Sequence, residues 1–139
     1  MKLGALPGSG GTVRITRRIG IGRTNELMLL GEMIDAQQAL AWGLANRITP
    51  KGGALGLAQE IAAKLASGAT QAIFACKQAL RYGVCLPEEQ AIAKLLDLID
   101  ALSHTDDFTE GVSAFIQKRT PVFRDPLDTS AFVGCIYPE

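Results

Sequence analysis

The stretch ELMLLGEMIDAQQALAWGLANRITP (residues 26–50) is the most informative part of the sequence for the fold. Within it, Asp35 followed by Gln38 is typical of a helix N-terminus, where such side chains cap free backbone N–H groups. Gly43 is expected to end this short helix, because glycine readily takes the left-handed conformation found at a helix C-terminus. Residues 44–49 alternate loosely between apolar and polar types before a proline, which suits a short strand or an extended crossing.

Apolar periodicity on both sides of this stretch predicts further helices. Upstream, a glycine-rich turn leads into a helix; downstream, the pattern predicts helices over 54–66 and about 70–82, from Pro87, and from about Thr105. Gly83 is expected to end the second of these helices. The apolar face of the helix from Pro87 is predicted to be Ile92, Leu95, Ile99 and Leu102. The last helix carries an apolar stripe at helical spacing: Phe108, Gly111, Val112, Phe115 and Ile116.

Beyond residue 119 the helical pattern stops, and residues 120–139 are expected to form an irregular arm. The predicted fold class is therefore mainly α, with at most one or two short strands.

The composition excludes several classes of protein. Of 139 residues, 47% are hydrophobic and 20% charged, which is not the composition of a disordered tail. Fourteen Lys+Arg balance fourteen Asp+Glu, so no overall charge favours nucleic acid or an anionic membrane. The longest purely apolar runs, at 27–30 and 72–76, are far shorter than the ~20 residues of a membrane span. Because the N-terminal residues also lack a secretory signal, we expect a cytoplasmic protein.

The cysteines and the single histidine do not suggest a metal site. Cys76, Cys85 and Cys135 form no C-x-x-C pair, so neither a disulfide framework nor a zinc site is expected. Buried or semi-buried thiols are expected instead. His104 falls between two predicted helices with no second histidine to share a metal, and is expected to be a solvated loop residue.

The N-terminal segment combines a glycine-rich turn with a basic cluster. The turn at residues 8–11 lacks the lysine of a Walker A loop, and no third glycine completes a dinucleotide fingerprint. No aromatic residues accompany the arginines that follow it, so nucleic-acid binding is not favoured. A solvated face, or one paired with another segment, is expected for Arg14, Arg17, Arg18 and Arg23.

Three stretches together resemble the C-terminal half of the enoyl-CoA hydratase/isomerase (crotonase) superfamily. They are LGALPGSGGTVRITRRIG (3–20), residues 26–50 and DFTEGVSAFIQKRTPVF (107–123). The resemblance implies the C-terminal portion of a crotonase-like fold. We interpret residues 1–50 as a remnant of the crotonase core, 51–119 as a C-terminal helical assembly region and 120–139 as the arm.

The resemblance also assigns candidate site residues. Gly8 matches the glycine whose N–H helps to hold water in hydratases, although a plain turn explains it equally. Phe115 and Lys118 match the aromatic residue and the lysine that meet the adenine and phosphate end of coenzyme A. A core position is the alternative for Phe115. The coenzyme A thioester is a substrate in this family, and neither a cofactor nor a metal is implied.

The family's catalytic groups find no match in this sequence. The oxyanion segment is absent, and the Pro-Glu pair that carries one catalytic glutamate would fall immediately before Met1. None of the seven glutamates stands in a motif that replaces it. We therefore expect the chain alone to be inactive.

Three interpretations of the function remain open on this basis. The chain is a truncated acyl-CoA enzyme, a non-catalytic oligomerisation module, or one half of a split enzyme whose other half is a separate chain. In each case a homo-oligomer, a trimer or a dimer, is expected, because the helices would otherwise expose apolar faces. Neither nucleic acid nor a membrane is an expected partner.

Overall fold

The computed structural model describes residues 4–129. It contains a π-helical segment, Glu26–Leu30, and the helices α1 (Gly11–Asn25), α2 (Ala36–Ala41), α3 (Ala54–Ala66), α4 (Thr70–Cys85), α5 (Glu88–Ser103) and α6 (Asp106–Ile116). The chain divides into two compact units, Met1–Leu57 and Ala58–Glu139. The mainly helical class is confirmed. Of the two alternatives for 44–49, the short strand is wrong, since residues 4–129 contain no strand, and the extended crossing remains.

In the first unit, α1 is bent in the middle. Gly20 has φ 79° and ψ 163° inside the helix, a conformation that glycine alone adopts without strain. Ile19, beside this bend, is one of the few buried apolar residues of the described chain. The Thr24 hydroxyl donates to the Gly20 carbonyl at 2.7 Å, four residues back along the chain.

The short helix α2 forms as its capping residues predict. The Asp35 carboxylate accepts the Gln38 N–H at 2.7 Å, and Gly43 follows the helix with φ 77°. Both the Leu44 and the Ala45 N–H donate to the Ala39 carbonyl, at 2.9 and 3.1 Å. These two N–H groups are therefore not available to a partner strand.

Two of the clustered arginines pair with this same turn. Arg18 donates to the Leu44 carbonyl at 2.9 Å and to the Asn46 side-chain oxygen at 2.7 Å. Arg23 donates to the Trp42 carbonyl at 3.0 Å. The expectation of an inter-segment-paired face is confirmed for these residues. The turn after α2 is thus bonded to side chains of α1, which is the second reason that no strand forms there.

In the second unit, α4 and α5 pack around Ala75 and Leu98. Leu98 is 1% exposed and Ala75 2%, and both contact partly buried neighbours, which are Phe74, Ala79, Tyr82, Ala101 and Leu102. The predicted face of α5 is wrong for three of its four members: Ile92, Leu95 and Ile99 are 38–50% exposed, and only Leu102 joins the core. Apolar residues occur around more than half of this helix, so periodicity alone does not identify its buried side. The buried residue is Leu98, one position before the predicted Ile99.

Two further expectations for this unit are corrected. Helix α4 does not end at Gly83 but continues to Cys85, and the chain becomes extended at Leu86. The residue before a proline is disfavoured in the helical conformation, so Pro87 explains the end better than the glycine does.

The thiols of Cys76 and Cys85 are exposed rather than buried. Cys135 lies outside the described residues.

No helix within residues 4–129 is long and apolar enough to cross a membrane. Large apolar side chains nevertheless remain at the surface. On α3, Leu55 is 68% and Leu65 51% exposed, and on α5 Leu96 is 59% and Ile99 50% exposed. These residues fall in the segments that were expected to form contacts between subunits.

Candidate functional site

The turn that ends α6 holds two of the predicted site residues. The Lys118 N–H donates to the Phe115 carbonyl at 3.2 Å, and the Arg119 N–H to the Ala114 carbonyl at 3.0 Å. This paired arrangement closes a helix through one left-handed residue, which is usually glycine. Here that residue is Lys118, with φ 54°. A left-handed conformation costs a residue with a side chain about 1–2 kcal/mol.

Phe115 and Lys118 are both available to a ligand. Phe115 is 85% exposed, so the alternative that it is a core residue does not hold for the described chain. Within residues 4–129 the Lys118 ammonium has neither a hydrogen bond nor an ion pair, and the residue is exposed. The turn therefore carries an exposed apolar ring and an exposed positive charge three residues apart in the sequence.

The apolar stripe of α6 is only partly buried. Phe108 is 49%, Val112 45% and Ile116 73% exposed. The fully buried positions of the helix are instead Ala114 and Asp107. Gly111 lies against the ring of Phe123, where an added Cβ would sit 3.6 Å from the ring edge. The helix thus packs through its small and acidic residues, and its largest apolar side chains remain at the surface.

An ion pair fixes the chain immediately after Lys118. The Arg119 guanidinium donates to both carboxylate oxygens of Glu110, the second at 2.7 Å, and its Nε donates to the Gln117 side chain at 2.7 Å. Glu110 also accepts the Val122 N–H at 2.8 Å. Two hydrogen bonds lower the pKa of Glu110 from 4.5 to about 2. The larger effect comes from Arg119 and the smaller from the Val122 N–H. The bond to Glu110 raises the pKa of Arg119.

A second carboxylate one turn earlier binds the next part of the chain. Asp107 is 5% exposed, and its Oδ1 accepts the N–H groups of Arg124 and Asp125 at 2.7 and 3.2 Å. In return, Asp125 accepts the Asp107 N–H at 2.9 Å, so it caps the first turn of α6. We call residues 119–126 with Asp107 and Glu110 the clasp.

The clasp is also connected to the start of α4. Thr70 donates to the Asp125 carbonyl at 3.2 Å and Gln71 to the Pro126 carbonyl at 3.3 Å. An apolar cavity of about 260 Å³ lies between these elements, and its walls include Ala72, Leu102, Phe108, Val112 and Phe123. A more polar depression of about 480 Å³ lies over the clasp itself. Within the described part of the chain, the irregular arm is therefore held in place by side chains of α6 and α4.

The clasp is the feature that sequence reasoning missed. Asp107 and Glu110 are three residues apart in DFTEG, which places both carboxylates on one face of a helix. That spacing was a usable signal. Their partners lie up to 18 residues further on and are mostly backbone N–H groups, which leave no trace in side-chain patterns.

Gly8 lies in the first unit, in the turn before α1. Its carbonyl accepts the Gly11 N–H at 3.1 Å, and a Cβ at Gly8 would meet nothing within 4 Å. Its own N–H donates to no group within residues 4–129. Within residues 4–129 the turn thus leaves a free donor at Gly8.

His104 follows α5 as a solvated residue, as expected. Its side chain is 78% exposed, and its Nε2 is 3.9 Å from an oxygen of Asp100. Among residues 4–129, no group of His, Cys, Asp and Glu side chains could hold a metal ion.

Comparisons with known proteins place this geometry in a family. The family model described as Enoyl-CoA hydratase/isomerase matches residues 1–126. The 2,3-dehydroadipyl-CoA hydratase of Escherichia coli (strain K12) is 40% identical over 122 residues, which are 88% of this chain and 48% of that protein. The carnitinyl-CoA dehydratase of Citrobacter koseri is 33% identical over 127 residues, 88% of this chain and 49% of that protein.

Solved structures agree with these sequence relatives. An enoyl-CoA hydratase from Geobacillus kaustophilus HTA426 matches with a TM-score of 0.84 at 39% identity, over 88% of this chain and 47% of that one. For an enoyl-CoA hydratase from Bacillus anthracis the TM-score is 0.82 at 36% identity, with the same coverage of both chains. The chain spans about half the length of the relatives that it matches.

Proposed function

Because the chain belongs to the enoyl-CoA hydratase/isomerase family, we propose that its 139 residues are the C-terminal half of an acyl-CoA enzyme. This half supplies the end of the site that binds the nucleotide part of coenzyme A, and it performs no hydration or isomerisation by itself. The stretches at 26–50 and 107–123, which resemble that half of the family, support the assignment.

The observation that carries the proposal is the exposed pair Phe115 and Lys118. An aromatic ring can stack on adenine, and an unpaired ammonium beside it can bind a phosphate group. Both residues belong to the same closed end of α6, so hydrogen bonds of the backbone fix the two positions from which the side chains extend. This arrangement suits a planar base joined to a phosphate, which is the chemistry of the nucleotide end of coenzyme A.

The expected affinity is low. A single phosphate contact and one stacked ring offset only part of the entropy lost on association, so we expect a Kd of about 1 mM. Because the lysine contact is exposed and ionic, binding should weaken as the salt concentration rises.

Titration of the 139-residue chain with coenzyme A, followed by NMR, tests this proposal. Lys118→Ala should weaken binding about tenfold, the order expected for a hydrogen bond to a charged group. Lys77→Ala removes an exposed lysine of α4 and is the matched control, which should bind as the unmodified chain does. Coenzyme A binding that is unchanged by Lys118→Ala would show that the site lies elsewhere.

A second candidate, a non-catalytic assembly module, is favoured by the exposed apolar side chains of α3 and α5. We propose that these faces bind further copies of the chain, or a separate chain that carries the other half of the enzyme. The two candidates are compatible, since an assembled module can still bind coenzyme A. Coenzyme A binding distinguishes the two candidates. A chain that self-associates but does not bind coenzyme A favours the assembly module.

A further inference from the structure

We propose that Glu110 and Arg119 are positioning residues for Lys118: their ion pair holds the turn after α6 in the left-handed form that presents the lysine ammonium to an anionic ligand. The inference rests on the proposed function, because it takes Lys118 as the residue that binds phosphate. Neither Glu110 nor Arg119 is expected to touch the ligand.

The first observation is the conformation of Lys118. Only Ser9 and Lys118 have positive φ among the non-glycine residues of the described chain. A side chain disfavours this conformation, and glycine is the usual residue at the position, so the turn needs a constraint from outside itself.

The second observation is that such a constraint surrounds Lys118 on both sides. Arg119 binds Gln117 through Nε and Glu110 through its two terminal nitrogens, so the residues before and after the lysine are joined to each other. Glu110 lies on α6 itself, which makes the helix the fixed support for the turn. The Val122 N–H donates to the same carboxylate, so the chain that follows the turn is also bonded to Glu110.

The third observation is that Lys118 stays free beside this network. Arg119 donates to both oxygens of Glu110, and the Val122 N–H donates to one of them. Within residues 4–129 the Lys118 ammonium has no partner and is exposed, so it is open to a ligand.

The test uses two variants that break the pair with opposite changes of charge, Glu110→Gln and Arg119→Gln. If the pair acts by positioning Lys118, both variants should weaken coenzyme A binding at least about threefold, as expected for coupled neighbours. If only the local charge matters, Glu110→Gln should strengthen binding and Arg119→Gln should weaken it, which would overturn the proposal.

A double-mutant cycle shows whether the effect passes through the lysine. In a Lys118→Ala background, neither variant should change the Kd further, because the residue that they position is gone. An unchanged effect in that background would overturn the proposal. If Lys118→Ala alone leaves binding intact, the proposed function fails instead.

A second readout does not depend on any ligand. A residue with positive φ gives an unusually strong NOE between its own amide and α protons. We expect this NOE at Lys118 in the unmodified chain and its loss in both variants, while the amide spectrum of α4 and α5 stays unchanged. A strong NOE that persists in both variants would show that the turn needs no ion pair, and would overturn the proposal even if coenzyme A binding is never detected.

Discussion

The Glu110 carboxylate stays ionised at a lower pH than that of an ordinary glutamate, because Arg119 and the Val122 N–H both stabilise the charged form. Its folded-state pKa of about 2 lies below the ordinary value of 4.5. The pair therefore stabilises the fold fully above about pH 4.5, and this contribution is lost as the pH falls through 2. The contribution is small in high salt, since both groups are partly exposed.

We predict that Glu110→Gln lowers the urea midpoint at pH 7 and that the difference from the unmodified chain shrinks between pH 4.5 and 2. Chemical denaturation at several pH values measures this. Glu32→Gln, at an exposed residue with no hydrogen bond in the described chain, is the control and should show no such pH dependence. A Glu110→Gln difference that stays constant down to pH 2 would contradict the assigned pair.

Single residues were predictable where their partner is close in sequence. Asp35 caps the Gln38 N–H, as the local pattern indicates. Thr105, near which the last helix was predicted to begin, caps the Phe108 N–H. The partners of Arg18 and Asp107 lie 26 and about 18 residues away and include main-chain groups, which side-chain patterns do not encode. The left-handed Lys118 was missed for a related reason, since the sequence has no glycine there to indicate it.

Helices α4 and α5 depend on one fully buried leucine. We predict that Leu98→Ala destabilises the second unit by about 2–5 kcal/mol, through lost burial and an unfilled cavity. Leu80→Ala on α4 is the matched control, because Leu80 is 66% exposed and its truncation should cost less than about 0.5 kcal/mol. Urea denaturation followed by circular dichroism compares the two. Similar losses for both variants would show that the α4–α5 packing is misassigned.

The helices themselves were largely readable from the sequence. The bounds of α3 match the prediction, and α6 begins at Asp106, within the start predicted near Thr105 or Asp106. The buried side of α5 was not readable, because a helix with apolar residues around more than half of its circumference offers several faces. Only the packing of Leu98 against α4 decides among them. Of the strand and the extended crossing expected at 44–49, the strand does not form, because alternation alone cannot supply a partner strand.

At the scale of the whole molecule, the exposed apolar residues predict self-association. We expect light scattering to give a trimer or a dimer at micromolar concentration, since such faces exceed what a monomer usually exposes. Ile99→Arg, on the exposed face of α5, should reduce the molar mass toward that of one chain. Gln90→Arg, on the opposite side of the same helix, should leave it unchanged. A monomeric unmodified chain would count against the assembly proposal.

The central proposal is that the chain carries a turn that binds coenzyme A and lacks the groups that perform the chemistry. Loss of an oxyanion donor typically lowers the rate by ~10²–10³, and loss of general acid–base groups by a further ~10²–10⁴. The Gly8 N–H can hold a water, but none of the seven glutamates stands in a sequence motif that would make it the base.

The most direct measurement is an absorbance assay of the purified 139-residue chain with crotonyl-CoA. We predict no measurable hydration. Turnover that persists through repurification and disappears in a Gly8→Pro variant would contradict the account, because it would place a complete catalytic site within these residues.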